Sequence, residues 1–480
     1  MKKVRVRFAP SPTGYLHIGG ARTALYNFLF ARKNKGAFIL RIEDTDRARL
    51  VEGSLESLLN SLKWLGFTYD EGPYIQSERL EIYKKHAEDL VKMSKAYYCF
   101  CEPERLQNLR EEQAAKKQAP MYDQYCLRNL SEGEINKSLK TNCPYTIRLK
   151  VPKNEIIEFN DIVRGKVKFE TNTIDDQILL KSDGYPTYHL ANVIDDHLMK
   201  ITHVIRGDEW ISSTPKHILL YQAFDWDIPE FAHIPLLLNL DRSKLSKRQG
   251  DVALDDYIKK GYLKEALINF IALLGWNPGE GSTQEIFSID ELIEKFDLKK
   301  VHKAGAVFDL KKLDWLNAQY IKKLSIGELC KKSLEFFEQK DFYVNASNEK
   351  KSEEYLKKVL TIEQERLNNL SEVGGNNKFF FQNISYNKEL LRWKDITDYD
   401  LRESLEKSKA ILEGVVEKDW TKEFLEKTLL ETAGDKRGDL LWPLRVALTG
   451  EKKSPPPAEV AWVLGKTESI KRLAQAIKLL

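Results

Sequence analysis

The fold is decided by residues 4–20, which read VRVRFAPSPTGYLHIGG. Apolar residues alternate with arginines from Val4 to Phe8, and this period of two predicts a strand. Prolines and a glycine then break the pattern, because proline fixes φ and glycine tolerates positive φ. After Gly20 apolar residues recur at helical spacing as far as Gly36, a residue type that often follows helix ends. The segment therefore predicts a strand, a tight turn and a helix.

The turn in this segment has the chemistry of a phosphate site. A helix N-terminus presents free N–H groups and positive potential, and both favour phosphate. Gly19 and Gly20 let a nucleotide approach the backbone closely, and His17 can donate to a phosphate oxygen. The alternative is a glycine-rich turn with an incidental histidine, and the segment alone does not separate the two.

Composition describes a globular protein with several domains. At roughly 150 residues per domain, the 480 residues are enough for two to four domains. Net charge is only +4, so a polyanion must be met by local positive patches. The chain has no apolar run long enough for a membrane helix, and its start lacks the apolar core of a secretion signal. We therefore expect a cytoplasmic protein with no membrane partner.

A second strand and helix follow the first pair. Residues 37–42 form an apolar run of strand length, which ends at Glu43, and an amphipathic helix then runs to Gly66. Strand–helix–strand–helix at this spacing predicts a parallel α/β sheet with right-handed crossovers. Ligands of such sheets bind beyond the carboxyl ends of the strands, where both the His17 turn and the Glu43 turn lie.

The rhythm of strands and helices weakens between residues 70 and 185. Short strands at 146–150, 156–159 and 165–169 lead us to interpret this region as an insertion into the sheet domain. The rhythm returns at 187–193 and 203–210, and the last 150 residues carry almost no strand pattern.

A basic loop, SKLSKRQGD at residues 243–251, follows an apolar run. Lys244 and Lys247 suit a mobile clamp on a polyphosphate, because lysine is a point charge that can follow developing negative charge. Taken alone, the loop is better explained as an ordinary basic surface loop.

The turn at His17 and the loop at Lys247 together resemble the "HIGH" and "KMSKS" signatures of class I aminoacyl-tRNA synthetases. More narrowly, the chain resembles the bacterial glutamyl-tRNA synthetase family over its full length. Four motifs match that family in order: FAPSPTG at 8–14, RIEDTD at 41–46, LLKSDGYPTYHLAN at 179–192 and VIRG at 204–207.

The resemblance implies a Rossmann-type α/β catalytic domain with an α+β insertion and an all-α anticodon-binding region. The expected divisions are a first catalytic half at 1–95, an acceptor-binding insertion at 96–186, a second catalytic half at 187–250, a stem-contact helical domain at 251–325 and the anticodon-binding region at 326–480.

The resemblance also implies the reaction of a glutamate–tRNA ligase. L-Glutamate is activated by ATP to glutamyl-adenylate, with release of pyrophosphate, and is then transferred to the 3′-terminal adenosine of tRNA-Glu. By similarity, Arg7 and Arg206 bind substrate carboxylates, and Glu43 takes the ammonium group. Ser11, Tyr188 and Asn192 shape the glutamate pocket. From the residues alone, the alternative for Arg7 and Glu43 is a structural ion pair between adjacent strands.

ATP and Mg²⁺ are the further ligands that the resemblance implies. The ATP residues are Ala9, His17, Gly19, Gly20, Glu209, Leu236, Lys244 and Lys247, and among these His17, Lys244 and Lys247 are expected to be catalytic. Two positions depart from the family signatures. Gly20 stands where the first signature ends in histidine, and the second signature reads KLSKR.

The cysteines pose a separate question about zinc. Three of the five cysteines are Cys99, Cys101 and Cys126, and structural zinc needs four ligands. Some family members complete such a set with a histidine two residues after the last cysteine, where this chain has Arg128. The resemblance offers Tyr122 as a substitute ligand, and the alternative is a zinc site that has decayed.

The C-terminal region adds candidate contacts to tRNA. Residues 431–480 hold nine Lys and Arg against six Asp and Glu. Backbone contacts are expected from Lys436, Arg437 and Arg445. Trp442 and the aromatic run at 379–381 are candidates for stacking on unpaired bases, but core packing is the favoured interpretation for most of them.

The expected partners are tRNA-Glu, with tRNA-Gln left open, for a chain that acts as a monomer. A glutaminyl-tRNA synthetase is disfavoured, because its anticodon end is built of β-barrels. A relative that glutamylates a tRNA base lacks the anticodon domain, and a generic nucleotidyltransferase lacks the helical region. A non-catalytic tRNA-binding paralogue is disfavoured because His17, Lys247 and the two arginines are present.

Overall fold

The computed structural model describes residues 3–245, 253–279 and 281–480. Lys247 of the predicted clamp lies outside these residues. The chain divides into two compact units, of which the first comprises residues 1–257 and 267–310 and the second comprises 258–266 and 311–480. The predicted break between 325 and 326 therefore falls within the second unit, and the five-part division stays a prediction.

We expect the first of these units to be catalytic and call it the catalytic unit. Its first half alternates strands and helices as the sequence predicts. Its elements are β1 (Arg5–Phe8), α1 (Ile18–Lys33), β2 (Ala37–Ile42), α2 (Ser54–Leu65), β3 (Glu71–Ile75) and α3 (Leu80–Lys92). The three strands form a parallel sheet in the order β1-β2-β3. All six residues of β2 are buried, which agrees with a run that is apolar except for Arg41.

The end of α1 differs in detail from the predicted stop at Gly36. Lys35 takes the left-handed conformation with φ 51°, and Asn34 is the C-cap residue. Gly36 is required for a different reason, because a Cβ there would overlap the carbonyl oxygen of Val4. The glycine lets the chain pass close to β1 as it enters β2.

The middle segment continues from β4 to β8. Its elements are β4 (Ala96–Cys99), α4 (Pro103–Ala115), α5 (Tyr125–Asn129), α6 (Glu132–Lys140), β5 (Thr146–Leu149), β6 (Ile156–Asp161), β7 (Gly165–Glu170) and β8 (Ile178–Leu180). Strands β4, β5 and β8 form an antiparallel sheet. The hairpin of β6 and β7, which we assigned to the insertion, does not join that sheet.

The second half of the catalytic unit contains another largely parallel sheet. Its elements are α7 (Tyr188–Leu198), β9 (His203–Gly207), α8 (Thr214–Ala223), β10 (Glu230–Ile234), β11 (Leu237–Leu238), α9 (Leu254–Lys259), α10 (Lys264–Leu273), α11 (Ile289–Lys295) and β12 (Ala306–Val307). The sheet order is β7-β6-β10-β9, and Asp161 at the end of β6 pairs with Phe231 of β10. Long-range pairing thus brings this hairpin, which we assigned to the insertion, into the sheet of β9 and β10.

The two sheets of this unit meet at β1 and β9. The backbone N–H of Thr202, just before β9, donates to the carbonyl oxygen of Arg5 at 2.9 Å. The Thr202 hydroxyl oxygen accepts from the Arg5 N–H at 2.9 Å. From β1 the chain runs outward to β2 and β3, whereas β9 and β10 lie on the other side. This is the point at which strand order reverses, where α/β sheets bind ligands.

The second unit is helical in the residues that the structure describes from 311 onward. Its helices are α12 (Leu310–Lys323), α13 (Ile326–Glu338), α14 (Asp341–Val344), α15 (Glu353–Glu363), α16 (Asp398–Gly414), α17 (Lys422–Ala433), α18 (Arg437–Thr449) and α19 (Pro457–Lys478). Apolar faces of these helices pack into one core that includes Phe337, Leu405 and Leu444. The all-α prediction for this region is confirmed.

Candidate active site

A cavity of about 530 Å³ opens at the carboxyl ends of β1 and β9. It brings together the predicted glutamate residues Arg7, Ser11, Glu43, Tyr188 and Arg206. It also includes the predicted ATP residues Ala9, His17, Gly19, Gly20, Glu209, Leu236 and Lys244. Asn192 is not among the lining residues, because its side chain lies behind the wall. Residues that are far apart in the chain thus share one site.

The first turn of α1 is shaped by His17. Its side chain is the N-cap of the helix, and Nδ1 accepts from the Gly20 N–H at 3.1 Å. A Cβ on Gly19 would lie 2.9 Å from His17 Cε1, so the imidazole can cover this turn only if residue 19 is glycine. The arrangement presents backbone and imidazole nitrogen atoms at a helix N-terminus, where phosphate binds favourably.

Arg206 is a buried arginine whose hydrogen-bond partners are all uncharged. Its Nε donates to His233 Nε2 at 3.1 Å. Its Nη1 donates to the Tyr188 hydroxyl at 3.1 Å and to His217 Nδ1 at 3.2 Å, while Nη2 donates to Thr214 Oγ1 at 2.9 Å. Within the described residues Arg206 has no ion pair. A charge buried without a counter-ion is costly, so this guanidinium is suited to an anionic ligand in the cavity.

The two histidines beside Arg206 are held neutral. Burial lowers the pKa of His217 well below its ordinary value, and the charge of Arg206 lowers it further. Burial also lowers the pKa of His233, although its hydrogen bond to Asp161 opposes the shift. Neither imidazole therefore adds charge to the site near neutral pH.

The Arg7 guanidinium uses two of its nitrogen atoms within the protein and leaves the third available to a ligand. Nε donates to Asp196 Oδ1 at 3.0 Å, and Nη2 donates to Asn192 Oδ1 at 3.2 Å. Among the described residues, Nη1 has no hydrogen-bond partner, and Arg7 lines the cavity. Asn192 thus orients Arg7 from behind the wall, which differs from the direct pocket role that we assigned to it.

Glu43 is held by Arg41, a residue that the sequence analysis did not identify. Arg41 Nη2 donates to Glu43 Oε1 at 2.9 Å, and Arg41 Nη1 donates to Asp196 at 2.7 Å. The alternative of a direct ion pair between Arg7 and Glu43 is not realised among the described residues. Burial raises the pKa of Glu43, and the nearby arginines partly offset this. Its carboxylate is therefore a candidate acceptor for a cationic group in the cavity.

The loop after β10 contributes the remaining described contacts. Leu238 and Lys244 pair across a short hairpin, so the exposed Lys244 lies at the rim of the cavity. Leu236 precedes the hairpin in the cavity wall. The carboxylate of Glu209 folds back over Gly207, a position at which a Cβ would overlap it.

A cluster of three thiols and a phenol lies at the end of β4. The Sγ atoms of Cys99, Cys101 and Cys126 all lie within 4.8 Å of one another. The Tyr122 hydroxyl oxygen is 3.4 Å from Cys99 Sγ and 3.2 Å from Cys101 Sγ. A hydrogen bond from Cys126 lowers the pKa of the Cys99 thiol to about 4. The four groups predicted to bind zinc therefore do converge.

Several residues that hydrogen-bond around the cavity were not identified from the sequence. They are Arg41, Asp161, Asp196, Thr214, His217 and His233, and each reaches the site through a hydrogen bond to Arg7, Glu43 or Arg206 or through a shared partner. The signal available for Arg41 was an arginine within an otherwise apolar strand. Asp195-Asp196 on the buried face of α7 was a similar signal, since unpaired carboxylates are rarely buried.

The aromatic candidates for base stacking belong to the core of the helical unit. Phe379, Phe380 and Phe381 are all buried. Trp442 is partly buried, and its Nε1 donates to the carbonyl oxygen of Leu390 at 2.9 Å. Core packing, which the sequence favours for most of these aromatics, is therefore confirmed for the three phenylalanines.

Family comparisons agree with the observed fold. A family model described as tRNA synthetases class I (E and Q), catalytic domain, matches residues 3–315. A model described as an anticodon binding domain matches residues 328–477. The molecule is a class I tRNA synthetase.

Similar proteins narrow the family. The glutamate–tRNA ligase of Chloroherpeton thalassium is 49% identical and covers 99% of this chain and 97% of its own length. That of Clostridioides difficile is 44% identical and covers 98% of both chains. A crystal structure of a glutamate tRNA ligase from Elizabethkingia meningosepticum, in complex with its amino acid, matches with a TM-score of 0.90 at 39% identity over 99% of both chains. The chain belongs to the glutamate–tRNA ligase family.

The length and hydropathy of the helices bear on whether any of them could span a membrane. Among the helices that the structure describes, none is both long enough and apolar enough to cross a bilayer.

Proposed function

We propose that this protein is a glutamate–tRNA ligase whose cavity at β1 and β9 activates L-glutamate. The observation that carries this proposal is the buried, uncompensated charge of Arg206 in a cavity that also contains Glu43 and the His17 turn. Glutamate has two carboxylates and one ammonium group, and the cavity offers two arginines and one buried carboxylate. The charges of ligand and site therefore match.

Each recognition group has a defined donor or acceptor available. Arg206 attracts a substrate carboxylate because no protein anion neutralises it, and Arg7 contributes its Nη1. Glu43 accepts from the α-ammonium group. The Tyr188 hydroxyl accepts from Arg206 and can donate its own proton to the substrate, while Ser11 lines the same wall.

ATP occupies the part of the cavity formed by Ala9, His17, Gly19 and Gly20, with Glu209 and Leu236 nearby. Mg²⁺ accompanies ATP and offsets phosphate charge. An α-carboxylate oxygen of glutamate attacks the α-phosphorus, the bond to pyrophosphate breaks, and glutamyl-adenylate forms. Lys244, and Lys247 outside the described residues, stabilise the charge that develops on pyrophosphate. A terminal ribose hydroxyl of tRNA then attacks the activated carbonyl carbon, and AMP leaves.

Aminoacylation with labelled glutamate and glutamine, on purified tRNA-Glu and tRNA-Gln separately, tests the proposal. Glutamate on tRNA-Glu alone is the expected result for a discriminating enzyme. Glutamate on both tRNAs would confirm the activity and show that the chain also charges tRNA-Gln. No charging with either amino acid would overturn the proposal.

The lysines are tested by the rate of adenylate formation. Lys244→Ala and Lys247→Ala are each expected to slow this step by about tenfold or more with little change in tRNA affinity. Lys92→Ala is the matched control, since Lys92 is exposed on α3 with its side chain 72% accessible. Unchanged activation kinetics in both lysine variants would remove the clamp role.

We also propose that the cysteine cluster holds one structural zinc ion. Three thiols and the Tyr122 hydroxyl converge closely enough to form a four-ligand set. Metal analysis of protein purified with zinc present is expected to give one ion per chain. Cys101→Ser should lose the ion, whereas Cys143→Ser, at an exposed cysteine, should retain it. A wild-type chain that binds no zinc would contradict this proposal.

The remaining proposals concern the setting in which the enzyme acts. We propose that it works as a monomer in the cytoplasm, where charged tRNA is consumed by translation. Lys436 and Arg437 are exposed at the start of α18 and are candidate tRNA backbone contacts. Sedimentation of the wild-type chain without tRNA-Glu tests whether it is a monomer. Sedimentation with tRNA-Glu, compared between the wild type and a variant that lacks the charges of Lys436 and Arg437, tests the tRNA contact.

A further inference from the structure

A chain of hydrogen bonds runs from Arg206 to a carboxylate that does not line the cavity. Arg206 Nε donates to His233 Nε2 at 3.1 Å, and His233 Nδ1 lies 2.6 Å from Asp161 Oδ2. Both His233 and Asp161 have fully buried side chains. Asp161 is fixed in turn, because its Oδ1 accepts from the N–H groups of Val163 and Arg164 at 3.0 and 2.8 Å.

The direction of every proton in this chain follows from Arg206. Each N–H of a guanidinium is a donor, so the facing imidazole nitrogen must be an acceptor. His233 therefore carries its proton on Nδ1 and donates it to Asp161. By the same logic, His217 Nδ1 accepts from Arg206, and its Nε2 donates to His189 Nδ1 at 3.0 Å. Both imidazoles keep one tautomer and stay neutral.

Asp161 has a role in this arrangement that another acceptor does not supply. Its carboxylate holds the proton on the far side of His233 and leaves Nε2 as a lone-pair acceptor for Arg206. The imidazole also stands between the carboxylate and the guanidinium, so Arg206 is oriented without direct contact with an anion. A carboxylate placed directly against Arg206 would occupy the donors and neutralise the charge that a substrate carboxylate needs.

We propose that Asp161 and His233 are positioning residues for substrate recognition, which hold Arg206 in place as an uncompensated receptor for a glutamate carboxylate. The proposal rests on the proposed function, in which Arg206 binds that carboxylate. Neither positioning residue touches the substrate, since neither lines the cavity. The sequence gives no local signal for the pair, because the two residues are 72 positions apart.

Two substitutions at residue 233 separate positioning from simple packing. The amide of glutamine reaches the place of Nε2, so His233→Gln keeps an acceptor for Arg206. The shorter amide of asparagine reaches only the place of Nδ1, so His233→Asn keeps the bond to Asp161 and leaves Arg206 Nε unpaired. We expect the glutamate KM to rise by about tenfold to a hundredfold in His233→Asn and by no more than about threefold in His233→Gln.

Asp161→Asn tests the tautomer itself. The Asn oxygen can still accept from Val163 and Arg164, but its NH₂ group faces His233 Nδ1 and favours the opposite tautomer. The proton on His233 Nε2 then faces the Arg206 N–H, so that two donors oppose each other and their hydrogen bond is lost. The glutamate KM should therefore rise by about tenfold or more. The ATP KM and kcat should change little in all three variants, because none of them alters the His17 turn.

The measurement is aminoacylation of tRNA-Glu by the full chain, with thermal melting as the folding control. Equal shifts in His233→Gln and His233→Asn, or a parallel rise in the ATP KM, would overturn the inference. Arg206→Ala distinguishes a failure of the proposed function from a failure of the positioning role. If it leaves the glutamate KM normal, the proposed function of Arg206 fails. If it raises that KM while the Asp161 and His233 variants do not, only the positioning role fails.

Discussion

Two buried arginines of the catalytic unit have opposite surroundings. Arg41 is fully buried and contacts three carboxylates, with Nη2–Oε1 2.9 Å to Glu43, Nη1–Oδ1 2.7 Å to Asp196 and Nε–Oδ2 3.8 Å to Asp195. Burial lowers the pKa of Arg41, but these carboxylates outweigh it and raise the pKa well above the ordinary value. Arg206 is nearly as buried, yet its partners are two imidazoles, two hydroxyl groups and one backbone carbonyl, all of them uncharged.

The difference shows how the same side chain serves structure in one place and recognition in another. Around Arg41 the charges already balance, so that network fixes Glu43 and, through Asp196, Arg7. Around Arg206 the hydrogen bonds are satisfied but the charge is not. The charge of the partners, rather than burial or the number of hydrogen bonds, therefore marks the group that is prepared for a ligand.

The strongest test of this comparison is Arg206→Ala. We expect the glutamate KM to rise by about two to four orders of magnitude, because removal of one partner of a buried charge pair costs about 3–5 kcal/mol. Thermal stability should be maintained, since no carboxylate loses a partner in the free enzyme. The glutamate KM of Arg206→Lys should lie between those of the wild type and Arg206→Ala, because lysine keeps the charge but lacks the planar guanidinium. Loss of fold in Arg206→Ala would contradict the receptor interpretation.

Arg41→Leu should give the converse result. It leaves Glu43 and Asp196 buried with less positive charge, so the free energy of unfolding should fall by about 3–5 kcal/mol. Arg49→Leu is the control, because the Arg49–Asp46 pair is exposed and such pairs contribute about 0–1 kcal/mol. Urea unfolding of the two variants measures the contrast, and equal losses would show that burial does not distinguish the pairs.

Glu363 extends the comparison to the helical unit with the opposite sign of charge. Its buried carboxylate accepts from Asn377 Nδ2 at 2.7 Å and from the Gly374 N–H at 3.0 Å, and it has no ion pair within the described residues. Burial raises its pKa from 4.5 to about 7, against these hydrogen bonds. Between those values the folded chain retains a proton that the unfolded chain has released. Stability should therefore fall as the pH rises through that window, by about 3 kcal/mol in all.

The measurement is the melting temperature of Glu363→Gln against wild type at several pH values from 5 to 7.5. Glutamine cannot ionise, so the difference between the two proteins should grow in favour of the variant as the pH rises. Glu353→Gln, at an exposed glutamate of the same helix α15, should show no such trend. A difference in melting temperature that stays constant from pH 5 to 7.5 would refute the raised pKa of Glu363.

The smallest expected effect is that of Tyr188→Phe. The change removes one neutral acceptor of Arg206 and keeps the ring that packs on Trp210 at 4.4 Å between centroids. A hydrogen bond of about 1 kcal/mol corresponds to about a fivefold rise in the glutamate KM. Steady-state aminoacylation resolves such a change, and a rise as large as that of Arg206→Ala would show that Tyr188 does more than orient the arginine.

Predictions from local sequence were accurate where a structural element is formed by one continuous segment. The strand, turn and helix at 4–36 were predicted from periodicity and turn residues, and β2 from its apolar run. The chemistry of their own segments proposed His17 and Lys244 as phosphate contacts, and the resemblance added roles for Glu43 and Arg206; the structure places all four around one cavity. Local sequence indicated less where remote segments pair, as for the β6–β7 hairpin, whose strand β6 pairs with β10 far along the chain.

The sequence by itself determined the alternating elements, the glycines at the His17 turn and the titratable residues available to the site. These features depend on neighbours within a few residues, where backbone preference and side-chain period act directly. Only the tertiary structure decided which charges are neutralised. Arg41 is balanced because α7 brings Asp195 and Asp196 against β2, and Arg206 is left unbalanced because β10 and α8 present imidazoles to it. Electrostatic environment depends on distance in space, so packing alone sets the function of each arginine.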